Sequence, residues 1–112
     1  MAVKKMLKGW LLGLFLAGVL LSGCAGMHNL GAWVNYRSAL TNSREGFDAE
    51  ADASFQRALE KNPALPAVRA SYGMTLLKQG DKLRGLELIR QEMAMFPESK
   101  IYLQPVIEKY GK

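Results

Sequence analysis

From residue 31 onward, apolar residues recur at three- and four-residue spacing, in stretches separated by short groups of Gly, Asn, Asp, Ser and Pro. That spacing belongs to amphipathic helices, each burying one stripe, and the intervening residues are those that stop helices and turn the chain. The pattern predicts helices over about 31–43, 47–61, 65–79, 82–95 and 99–110 and no strand. A longer repeat overlies the short one. Pro63 and Pro97 stand 34 residues apart, and the same step carries Gly46 onto Gly80, Phe55 onto Ile89, Leu59 onto Met93 and Glu60 onto Ala94. The expected fold is all-α, a right-handed stack of two helical hairpins plus a C-terminal closing helix.

Several repeated residues have a mechanical reason for their place. Gly73 allows the two helices of a hairpin to approach closely, Gly80 can adopt the left-handed conformation that ends a helix, and Asp81 can cap the next one. Phe55 and Ile89 are expected to fill the same slot in successive units. Pro63 and Pro97 end each unit because proline lacks an N–H and disfavours helix in the residue before it. The segments Gly46-Phe47-Asp48 through Asn62-Pro63, and Tyr72-Gly73 through Gln79-Gly80-Asp81, Ile89 and Pro97, resemble tetratricopeptide repeats. Two positions depart from that pattern: Glu92 stands where the first unit has the small Ala58, and Gly85 where it has Ala51. Ser99 is a candidate cap for the last helix, and Pro105 is expected to kink that helix or to delay its start to about residue 104.

The register of the first helix decides the role of three large side chains. Under a strict 34-residue step, Trp33, Tyr36 and Leu40 fall with Ala67, Ala70, Met74 and Leu77 on the concave face that such repeats use to hold partner proteins. If the first turn contains two extra residues, the same three take packing positions between helices. Both registers satisfy the apolar spacing.

Residues 1–23 follow a different rule. Lys4, Lys5 and Lys8 precede a continuous apolar run from Trp10 to Leu21, and small residues follow it, which is the layout of a cleaved secretory signal peptide. The run is shorter than the ~20 residues that span a bilayer. Leu21-Ser22-Gly23-Cys24 resembles the lipobox of bacterial lipoproteins, in which the Cys sulfur receives a diacylglyceryl group and the chain is cut before it. The resemblance implies a covalent lipid at Cys24, with Leu21, Ser22 and Gly23 recognised by the peptidase. Acyl chains at about 0.8 kcal/mol per buried methylene would anchor the protein durably in a membrane. The chain then divides into a leader (1–23), a lipidated Cys and tether (24–30) and a helical domain (31–112). Ala25, where an Asp would favour inner-membrane retention in such lipoproteins, directs the expectation to the periplasmic face of the outer membrane. Seven tether residues at about 3.5 Å each reach only about 25 Å, so the domain is expected to sit against its membrane.

Removing the leader changes the charge. Three of the fifteen Lys and Arg lie in it, which leaves twelve basic against ten acidic residues in the remaining 89. These charges are interspersed and form no basic stripe with aromatics, so nucleic acid is not an expected partner. Cys24 is the single cysteine, which excludes a disulfide within the chain, and His28 is the single histidine. Asp48, Glu50 and Asp52 crowd a predicted helix start, where carboxylates favour the helix dipole. No glycine-rich phosphate loop or nucleophile pair is present outside the leader. The expectation is a non-enzymatic protein without cofactor, metal or small-molecule substrate, apart from the lipid at Cys24.

Trp33-Val34-Asn35-Tyr36-Arg37-Ser38-Ala39-Leu40, Tyr72-Gly73 with Leu77-Lys78-Gln79-Gly80-Asp81, and Phe96-Pro97-Glu98-Ser99 together resemble a family of small proteobacterial lipoproteins. Its members tend to be encoded beside a lipoprotein similar to the curli secretion channel and a second small lipoprotein. The resemblance implies an accessory or assembly factor of an outer-membrane lipoprotein complex, with other lipoproteins as partners. Two alternatives stand beside it: a pilotin-like factor for a secretin or pilus system, and a regulator of a peptidoglycan synthase.

Overall fold

The structure, a computed structural model, describes residues 29–111. The leader, its cleavage residues Leu21, Ser22 and Gly23, the lipidation candidate Cys24 and His28 lie outside the described residues. Among the described residues the chain is all-α and contains no strand. Helix α1 covers residues 29–45, α2 Asp48–Lys61, α3 Val68–Gln79, α4 Lys82–Met95 and α5 Lys100–Tyr110, with a 3-10 turn at Pro97–Ser99 before α5.

The helices pair as two antiparallel hairpins with α5 closing the second. In the first, Asn62 at the end of α2 bonds Asn29 at the start of α1 (2.9 Å), and one turn further along Arg57 donates to Asn35 (3.2 Å). In the second, Gly73 of α3 lies against Gly85 and Ile89 of α4. The hairpins join through α1 and α3, where Tyr36 and Ser71 share a hydroxyl hydrogen bond (2.7 Å), as do Ser43 and Thr75 (3.0 Å).

Local chemistry explains most of the boundaries. Gly46 and Gly80 both have positive φ, at 81° and 90°, and they end α1 and α3 in the left-handed conformation that glycine adopts without steric cost. The N–H groups of Gly80 and Asp81 return to the carbonyls of Leu77 and Leu76, and the Asp81 carboxylate then accepts from the Arg84 N–H at 3.3 Å to cap α4. Helix α3 begins at Val68 and not at the expected 65. Pro66 disfavours helix at Leu65, the Asn62 side chain accepts from the Ala64 N–H (3.0 Å) to form a turn, and buried Leu65 pins this loop to the core. Ala67 closes the loop at φ 72°, a left-handed conformation that costs a non-glycine residue about 1–2 kcal/mol. Ala67→Gly is therefore expected to raise stability by about 0.5–1 kcal/mol, after glycine's own entropic penalty. A higher denaturation midpoint at unchanged m-value would show it.

The last helix occupies the expected span of about 99–110, without the delayed start near 104 and without the Ser99 cap. It runs from Lys100 to Tyr110 with Pro105 inside it, and the Ser99 hydroxyl donates to the Phe96 carbonyl (2.6 Å) without capping α5. Pro105 removes one intrahelical bond, the one to the Ile101 carbonyl. Leu103, Val106, Ile107 and Tyr110 hold the helix in register by packing into the cluster formed with α4.

The core repeats as the sequence does. Phe55 and Ile89 are both fully buried, and the paired small residues Ala39 and Gly73, Ala51 and Gly85 are buried as well. Ala39 and Gly73 are 34 residues apart, so the step extends into α1. Phe55 stacks on Tyr72 at 5.0 Å between ring centres, within a cluster of Ala32, Ala39, Ala58, Leu65, Val68 and Leu76. Leu77, Leu86, Ile89, Met93 and Leu103 make a second cluster among α3, α4 and α5.

Candidate functional site

The residues singled out as partner-binding divide between surface and core. Leu40 of α1 and Ala70 and Met74 of α3 come together with Ser43, Arg44, Ser71, Thr75 and Lys78 around an open hollow of about 250 Å³. Tyr36 is half-buried against the first core cluster and bonds Ser71 beside this hollow. Trp33 is 44% exposed and meets Tyr36 edge-on at 5.7 Å. Leu77 is only 9% exposed; it packs inward against Gly85 in the second cluster and does not line the hollow.

A second, larger hollow of about 410 Å³ opens between the start of α3, the end of α4 and α5. Ala67, Ala70, Phe96, Tyr102 and Leu103 form its mostly apolar wall, with Glu92 and Glu98 its only charged lining residues. Ala70 borders both hollows, so they adjoin along α3. The far ends of this groove differ in charge: Arg44 and Lys78 at the C-terminal end of α3, Glu92 and Glu98 at the N-terminal end.

Glu92 is the unusual member of this groove. It is 2% exposed, and its Oε2 is buried without a hydrogen-bond partner. Burial pushes its carboxyl above the usual carboxylate range, against the opposing pull of the Ala67 and Ala70 backbone N–H groups and the Arg69 charge. Arg69 itself donates to the Pro63 carbonyl. The 34-residue step had marked Glu92 as standing in place of an alanine, but nothing in the sequence revealed that the position borders a hollow.

The folded-state pKa of Glu92 lies above its unfolded value, so the folded protein holds this proton more firmly. The associated stability is present at pH below the unfolded value and is lost as pH rises through the folded one. Glu92→Gln, which removes the need to bury a charge at this position, is therefore expected to stabilise the protein at neutral pH. The gain should shrink toward zero at mildly acidic pH. Parallel thermal melts of both proteins across that range would check it.

A polar cluster on the opposite side ties the hairpins together. The Tyr72 hydroxyl accepts from Arg84 (2.7 Å) and Gln56 (3.3 Å), while Arg84 also lies 3.8 Å from Asp52 and 3.4 Å from Asp81. Burial raises the Tyr72 pKa, and the neighbouring Asp52 adds to the effect. This arrangement keeps the phenol protonated and links α2, α3 and α4.

Among the described residues no helix is long and apolar enough to cross a membrane, and no group of three His, Cys, Asp or Glu side chains is placed to hold a metal ion. No protein-family model, curated protein or solved structure matches the chain. The fold and groove thus define the chain as an all-helical stack of two hairpins and a closing helix, with one charge-polarised face along α3.

Proposed function

We propose that this protein is a membrane-anchored lipoprotein that works, without catalysis, as a protein–protein interaction module. Its role is that of an accessory or assembly factor in an outer-membrane lipoprotein complex. The groove along α3 carries the reading: two adjoining open hollows lined by α1, α3, α4 and α5, mostly apolar and with charges of opposite sign at their far ends, fit a polypeptide segment. The 34-residue period and the resemblance to tetratricopeptide repeats support the same use of this face. The Leu-Ser-Gly-Cys motif supports the anchor at Cys24 and the periplasmic face of the outer membrane. The described part of α1 already includes residues 29 and 30, which shortens the tether and favours a partner held at the same membrane.

The anchor and the groove are tested separately. Cys24→Ala is expected to abolish incorporation of radiolabelled palmitate and to leave the precursor in the inner membrane; normal outer-membrane fractionation of the variant would remove the lipoprotein reading. For the groove, a photo-crosslinking residue at Met74 in living cells should trap another outer-membrane lipoprotein. The same residue at Leu83, 86% exposed on α4, should not. Equal yields from both positions would argue against the groove.

A further inference from the structure

The charge pattern along α3 narrows what the groove can hold. At one end, Glu92 and Glu98 are the only charged groups around an otherwise apolar hollow, and one oxygen of Glu92 is buried with no partner. Leaving a carboxylate oxygen dry and unpaired is costly, and a buried position that carries alanine one repeat earlier does not need a carboxylate for packing. At the other end, Arg44 and Lys78 flank Leu40 and Met74. None of Arg44, Lys78 and Glu98 takes part in an ion pair among the described residues. The separation follows from helix geometry: at 1.5 Å per residue, Ala70 and Lys78 are about 12 Å apart along α3. An extended peptide covers about 3.4 Å per residue, so the distance corresponds to about four residues.

We propose that the groove holds an extended segment of a partner protein that carries a Lys or Arg and, about four residues away, an Asp or Glu. The basic side chain enters the hollow between α3 and α5, its aliphatic stem against Ala70, Phe96 and Leu103 and its head at Glu92. The acidic side chain lies at Arg44 and Lys78, and the apolar residues between them cover Leu40 and Met74. The partner's positive charge, held at the mouth of the apolar hollow beside Glu92 and Glu98, favours the ionised form of the buried Glu92 carboxylate by Coulomb attraction. This inference rests on the reading of the α3 face as an interaction surface and adds the chemistry of the occupant.

The test uses the full chain in uncharged detergent micelles and fluorescence anisotropy of labelled, end-blocked pentapeptides. The probe is Lys-Ala-Leu-Ala-Glu, compared with Lys-Ala-Leu-Ala-Lys, Glu-Ala-Leu-Ala-Glu and a neutral Leu-Ala-Leu-Ala-Leu. The mixed-charge peptide should bind at least tenfold more tightly than the other three. Glu92→Gln should remove most of that preference while leaving the fold intact by circular dichroism. The double variant Arg44→Glu, Lys78→Glu should switch the preference to the peptide with two lysines, a change that no loss of stability produces. Equal binding of the neutral and mixed-charge peptides would overturn the inference and leave an interaction groove that does not read charge. Failure of all four peptides would overturn it as well, and the Met74 crosslink then separates the two readings: a trapped lipoprotein preserves the interaction module, and none removes both.

Discussion

Replacing Phe55 by alanine is expected to cost about 3–5 kcal/mol, the range for deleting a fully buried aromatic ring. Phe55 is completely buried, stacks on Tyr72 and lies within reach of Tyr36, so the ring touches α1, α2 and α3 at once. Its neighbours Ala32, Ala39, Ala51 and Ala58 are too small to close the void. A domain of this size has a total stability of only about 4–13 kcal/mol. The variant should melt at least about 15 °C lower or fail to fold, and urea denaturation would measure the loss. A melting curve that matches the unaltered protein would mean that α2 does not pack against α1 and α3 through this face.

Gly73→Ala is expected to destabilise by about 1–2 kcal/mol although alanine is the better helix former. A Cβ at this position would sit 2.7 Å from the Gly85 carbonyl oxygen and 2.8 Å from Ile89 Cγ1. The reciprocal contact is equally tight, with a Cβ on Gly85 falling 2.8 Å from the Gly73 carbonyl. Overpacking of this kind costs about 1–3 kcal/mol and occasionally more, against a gain of about 1 kcal/mol in helix propensity. The obstruction includes backbone, which cannot rotate away, so α3 and α4 must separate. The diagnostic measurement is therefore the cost of Gly73→Ala in an Ile89→Ala background, which removes Cγ1 and leaves the Gly85 carbonyl in place. If Gly73→Ala costs nothing in that background, the clash is with a side chain and the close helix crossing is not what limits the site.

These two sites also show how differently the chain disclosed its fold. Phe55 and Ile89 were legible as equivalent core residues because a repeat that stacks on itself must bury the same face in each unit. Gly73 was legible as a crossing point, whereas its partner Gly85 looked like a defect until the two helices were seen to share the contact. Helix α3 starts three residues beyond the point the apolar period marks, since that period runs through Leu65 while Pro66 and the left-handed Ala67 interrupt the backbone. Pro105 does not delay the start of α5 to residue 104. One missing hydrogen bond is outmatched by the four side chains with which α5 packs on α4.

The candidate site was only half readable. Leu40, Ala70 and Met74 do meet on one face, but Leu77 turns inward and Trp33 stays half exposed beside Tyr36. Whether a residue near the edge of a helical stripe lines a groove or fills the core depends on how far its neighbours are rotated, and periodicity alone does not fix that angle.

The sequence by itself determined the all-helical class, the repeat length, the two hairpins with their glycine and aspartate ends, and the identity of the central core residues. Each of these is set by short-range preferences or by burial that recurs with the repeat. Only the tertiary structure decided that α3 carries a groove with opposite charges at its ends and that Glu92 closes one end with an unpaired oxygen. Those properties belong to side chains from α1, α3, α4 and α5 brought together by packing, and no single stretch of the chain contains them.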